Sequence, residues 1–188
     1  MSQLTIRLAA AFAAATALLL AGCTGDDPIV LPGPDPTTAP VFATDEDALA
    51  AAEVAFGEYL RASAEISVPD GLEPDTVRPF VTEDYFEEVL ASFEKYRAEN
   101  RFTEGVPNVT EATLQQYQDP MTGPAQVVVY LCLDISEARV VDDVGNDITP
   151  ADRVDRVPLE VNFVTNQRTE TLLVDSSEPW TGEDFCGS

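Results

Sequence analysis

Near Arg101 the spacing of apolar residues changes from a helical period to an extended one, and this switch narrows the fold class. Before it, Leu49, Ala52, Phe56, Leu60 and Ser63 recur at steps of three and four, the stripe of an amphipathic helix. Thr44 and Asp47 stand three residues apart, as a capping box requires, and Pro69-Asp70-Gly71 supplies the stop. A short helical turn follows over 74–78. A second long helix is predicted from Thr82 as N-cap to near Asn100, with Val81 and Phe86 spaced as a hydrophobic staple. Glu83 and Asp84 suit its positive end; Lys95, Arg97 and Arg101 suit its negative end. Phe86, Val89, Leu90, Phe93 and Tyr96 form its expected buried face.

After Arg101 the chain reads as strands over 101–104, 108–118, 125–135, 156–164 and 169–175, with a short edge strand over 138–142. The run from Val127 to Leu133 is apolar on both faces, which predicts a central strand. Leu159, Val161 and Phe163 alternate with Glu160 and Asn162, the pattern of a strand buried on one face. Thr165 to Arg168 reads as the turn of a hairpin. Helices followed by strands predict an α+β domain, with N-terminal helices packed on a curved, mostly antiparallel sheet.

Ahead of that domain stand two segments of different composition. Residues 1–22 hold one positive charge, Arg7, then an apolar stretch from Leu8 to Leu20 broken only by Thr16, then Ala21-Gly22 before Cys23. This is the layout of a secretory signal peptide, and the stretch is shorter than the roughly 20 residues a span requires. Leu20-Ala21-Gly22-Cys23 resembles a bacterial lipobox, which implies cleavage before Cys23 and lipid on its thiol. A plain secretory signal with an incidental cysteine is the alternative. Residues 23–44 carry Pro28, Pro32, Pro34, Pro36 and Pro40, so they read as an extended tether reaching up to roughly 60 Å. Residues 45–188 have the size of one domain. The expected location is therefore the outer face of a bacterial cell membrane, held there by lipid.

The cysteine count agrees with that compartment. With Cys23 given to lipid, Cys132 and Cys186 remain of the three, and an even pair outside the cytoplasm reads as a disulfide. Two free buried thiols are the alternative. With no histidine and no Cys-x-x-Cys, no metal site and no cofactor are expected. The formal charge of −24 repels phosphate, which excludes nucleic acid as a partner and leaves lipid rather than charge to hold the protein to its membrane. Asp142 to Asp147 lacks the alternating ligands of a calcium loop and reads as a turn. Nine arginines against one lysine, Lys95, with abundant alanine, point to a GC-rich genome.

Three stretches carry a family likeness: DALAAAEVAFGEYL, RPFVTEDYFEEVLASF, and VVVYLCLDIS with the terminal PWTGEDFC. Together they resemble small actinobacterial lipoproteins carrying a nuclear transport factor 2-like domain, over about residues 45–188. That resemblance implies a cone-shaped α+β fold that serves both enzymes and binding modules. Its lyases, isomerases and cyclases use a carboxylate on the sheet; here that would be Asp134, with Tyr130 on the same strand face. The plainer reading of Asp134 is a strand exit into solvent. The absence of histidine removes Ser-His-Asp and Cys-His chemistry. The favoured expectation is a non-catalytic domain binding an envelope protein or a small apolar ligand.

Overall fold

The computed structural model describes residues 39–169 and 171–187. The expectations for residues 1–38, including the signal peptide, Cys23 and most of the tether, lie outside the described residues. What is described runs α1 (Asp45–Ser67), a 3-10 turn (Pro74–Phe80), α2 (Glu83–Ala98), then β1 (Phe102–Glu104), β2 (Asn108–Gln118), β3 (Gln126–Asp134), β4 (Arg139–Val141), β5 (Arg156–Thr165) and β6 (Leu172–Pro179). The fold class is α+β, as the change of period predicts.

Local chemistry sets the helix ends. The Thr44 hydroxyl accepts from the Asp47 N–H at 3.1 Å, and the Thr82 hydroxyl accepts from the Tyr85 N–H at 3.3 Å. Val81 and Phe86 are both buried, as a staple across the second cap requires. After α1 the chain turns back on itself: Leu72 N–H donates to Glu65 O. Gly71 sits so close to that helix end that a Cβ would lie 2.7 Å from the Glu65 and Ile66 carbonyl oxygens. No larger residue fits there without moving the backbone.

Four strands form an antiparallel sheet in the order β2-β3-β5-β6, with β3 and β5 inside. β1 and β4 form a separate two-stranded ribbon. Along β2 the inward residues Val109, Ala112, Leu114 and Tyr117 are spaced three, two and three apart. Strict alternation would turn half of them outward. Bulges between Val109 and Glu111, and between Leu114 and Gln116, absorb the extra residues. The same bulges interrupt the regular ladder of this edge strand, which discourages pairing with another chain.

The core lies between α1 and one sheet face. Ala48, Ala52, Phe56 and Leu60 of α1 meet Val127, Val129 and Leu131 of β3 and Val161 and Phe163 of β5. Phe56 packs edge-on against Phe163, ring centroids 6.4 Å apart. The predicted α1 stripe is displaced slightly, because Ala55 and Ile66 are buried while Leu49 and Ser63 are only half-buried. Residues 41–42 are tied to the far end of β2: Val41 N–H donates to Asp119 at 2.7 Å and Phe42 N–H to the Tyr117 hydroxyl at 3.0 Å. The chain therefore enters the domain at the N-terminal end of α1.

The C-terminal tail lies on part of the opposite sheet face. Residues Val128, Tyr130, Cys132 and Asp134 point that way by alternation. Cys132 is bonded to Cys186, their Cα atoms 5.5 Å apart, so the predicted disulfide is present. Tyr130 is flanked by Trp180, at 4.4 Å between centroids, and by Phe185, at 5.6 Å.

Candidate functional site

α2 is where the expected and observed burial part. Tyr85, Phe86 and Val89 are buried, but Phe93 is only half-buried and Tyr96 is 39% exposed. The apolar stripe of α2 thus outruns the core, with Phe93 at its margin and Tyr96 beyond it. That surplus forms one wall of a groove of about 450 Å³. Phe93 and Tyr96 face Phe102 of β1 and Val140 of β4, with Ile66 of α1 at the base and Ile135, Ala138 and Pro150 from the connections around β4. The ribbon is held close by Gly105, whose φ of +95° and proximity to Glu137 O, 2.5 Å from a would-be Cβ, exclude a side chain.

Three arginines edge this apolar surface: Arg97, Arg101 and Arg153. Arg97 donates to Ile66 O at 3.2 Å and Leu72 O at 2.8 Å. It is placed by sequence to serve the end of its own helix; instead it satisfies a terminal carbonyl of α1, which has no basic residue in its last turn. Arg153 donates to Ala138 O at 2.6 Å and Ile135 O at 3.0 Å, and pairs with Asp155 at 2.8 Å. Arg101 lies over the Tyr96 ring at 4.9 Å and pairs with Glu99 at 3.3 Å. Among the described residues Arg97 has no carboxylate within 4.0 Å, and no acidic side chain lines the groove. In a chain with 34 acidic residues this is the reverse of the general surface.

A second, smaller cleft of about 260 Å³ lies between α1 and α2 beside β6. Tyr59 and Tyr85 lie there with ring centroids 6.5 Å apart, and the Ser63 hydroxyl is buried beside them. Burial is the main cause that pushes both phenols above their ordinary range, with Glu88 adding repulsion. These are phenols held neutral, the opposite of what a phenolate base needs.

Asp134 and Tyr130 do share a strand face, but it is the face away from the helices. The Asp134 carboxylate accepts from the Ser136 N–H at 2.9 Å in a turn at the surface. The Ser136 side chain, then that backbone bond, with help from Arg156, hold it below the ordinary carboxylate range, so it stays ionised as a turn-former rather than being tuned upward into a base. Tyr130 is occupied by stacking. Asp142 closes the turn after β4, accepting from Val144 N–H at 3.1 Å and Asn146 N–H at 2.8 Å.

No family model matches the sequence, and no curated protein matches it. Solved structures do. The domain is similar to the crystal structure of the intermembrane space region of the chloroplast protein ARC6, with a TM-score of 0.52 and 9% identity over 71% of this chain and 97% of that one. A structure of a periplasmic fragment of TraM gives 0.47 and 8% identity over 73% and 98%. Likeness at such identity speaks to fold alone. Among the described residues no helix is long and apolar enough to cross a membrane.

The groove was not legible as a site beforehand. Its residues come from four elements, α1, α2, β1 and β4, and from the connections around the strands, and each element reads locally as ordinary core or cap. The one signal available was the length of the α2 stripe, which ends in Tyr96-Arg97 with Arg101 four residues on.

Proposed function

We propose that this protein is an extracytoplasmic lipoprotein, anchored to the outer face of a bacterial cell membrane through Cys23, that displays a nuclear transport factor 2-like domain for binding rather than catalysis. The apolar groove beside α2 carries the binding reading. A recess of about 450 Å³ with mostly apolar walls and a few charged donors has the size and make-up of a small-ligand site. The Cys132–Cys186 bond supports an oxidising compartment. The similar intermembrane space region of the chloroplast protein ARC6 is in line with a place outside the cytoplasm.

The groove lies at the C-terminal end of α1: that helix, 23 residues long, extends about 34 Å, and Ile66 in its last turn lines the groove.

Two measurements test this reading. Intact mass of membrane-fraction protein should begin at a diacylated Cys23, and Cys23→Ala should abolish that modification; an unmodified N-terminus or cleavage elsewhere overturns the anchor. For the groove, a neutral apolar diazirine probe on the full-length protein should label peptides from α2 and the β1–β4 ribbon saturably. Ser92→Trp, a change at an exposed α2 position on the groove wall, should suppress that labelling. Labelling spread evenly over the surface overturns the binding reading.

A further inference from the structure

We infer that the groove takes a linear anionic amphiphile, an apolar chain ending in a carboxylate or phosphate, with the chain against Phe93 and Phe102 and the head beside Arg97 and Arg101. This rests on the groove being the binding site. It adds which ligands the groove accepts and which it refuses.

The charge distribution selects the head group. The chain has 34 acidic residues, and electrostatics on most of its surface would repel an anion. The groove is lined by three guanidinium groups and no carboxylate. Glu99 pairs with Arg101 and Asp155 with Arg153, but Arg97 has only backbone carbonyls among the described residues. A carbonyl satisfies the donor without cancelling the charge. The negative ends of the α1 and α2 dipoles nearby amount to about half a unit each and offset Arg97, so the preference for an anion rests on guanidinium donors that no carboxylate in the lining answers. A guanidinium also retains N–H groups in a planar fork suited to two oxygens of one carboxylate or phosphate. Arg101 is already oriented by lying over the Tyr96 ring.

The walls select the rest of the ligand. Phe93, Phe102, Ile135 and Val140 offer no hydrogen bonds from their side chains, so a polar body set against them would lose hydration; the hydroxyls of Ser67, Ser92, Tyr96 and Thr103 are fewer than the apolar side chains of the lining. An acyl chain loses nothing and gains burial at about 25 cal/mol per Å² of apolar surface. A cationic amphiphile satisfies the walls and fails at the rim. A short anion satisfies the rim and leaves the walls empty.

The test is competition for photolabelling on the full-length protein, using diazirine-bearing dodecanoate below its micellar concentration. Dodecanoate and dodecyl phosphate should compete at least tenfold better than dodecanol, and dodecyltrimethylammonium should not compete. Acetate and inorganic phosphate should be without effect at the same concentrations. Arg101→Gln should cut dodecanoate competition about tenfold while leaving dodecanol competition and the melting temperature unchanged; Arg101→Lys should restore part of it. If dodecanol or the cation competes as well as dodecanoate, the anionic preference is wrong and the groove remains a binding site. If none of the four amphiphiles competes, and the neutral probe also fails to label the groove, both the inference and the reading beneath it fall.

Discussion

Breaking the Cys132–Cys186 bond by Cys132→Ala with Cys186→Ala tests how the tail is held. The bond spans 54 residues in sequence. Closing a loop of about 55 residues removes unfolded-state entropy worth about 4 kcal/mol at 25 °C, an upper figure for the bond. Against it stand contacts that survive without the bond. Trp180 N–H donates to Pro158 O at 2.8 Å, continuing the β5–β6 ladder, and Trp180 packs on Tyr130 at 4.4 Å. Phe185 and Cys186 lie beyond the last ladder pair and depend on the bond. The double variant should therefore lose about 2–4 kcal/mol, a fall in melting temperature of about 4–16 °C for a domain of this size. Trp180 is the only tryptophan, so its fluorescence reads the tail directly. The expected result is a lower urea midpoint with native emission unchanged. A loss under about 1 kcal/mol would refute the loop-entropy argument. A red-shifted native emission would refute the claim that the ladder, not the bond, seats Trp180.

Two further outcomes follow from burial. In an alkaline titration at 295 nm, Tyr59 and Tyr85 should resist ionisation until the protein unfolds, because both are held above the ordinary value of 10.0. The sign is that of a raised folded-state pKa: the stabilising contribution is complete below pH 10 and is lost as pH climbs toward the folded values. A smooth five-tyrosine titration with unchanged far-UV circular dichroism would contradict it. Phe56→Ala should cost about 3–5 kcal/mol by urea denaturation, since the ring is buried against Phe163 and its neighbours cannot collapse into the space. A cost under about 1.5 kcal/mol would mean that this centre is loosely packed.

What the sequence determined by itself was mostly local. Thr44 and Thr82 cap helices because a side-chain oxygen needs only an N–H three residues ahead. Pro69-Asp70-Gly71 stops α1, and the doubly apolar run around Val129 lies inside the sheet, because these depend on backbone freedom and on local apolar content. The disulfide was readable from compartment and count. The tertiary structure alone decided what each surface meets. The β1–β4 pairing joins Thr103 to Val140, a partnership that no spacing in either segment encodes. Arg97 is one local pattern with two uses: dipole partner for its own helix, or donor to the end of α1, and packing chose the second. The groove has the same origin. An apolar stripe records only that a face prefers to leave water; how far along the helix a partner reaches depends on chain that is distant in sequence. At Tyr96 the core falls short, and the exposed remainder, with the half-buried Phe93, becomes a wall of the groove.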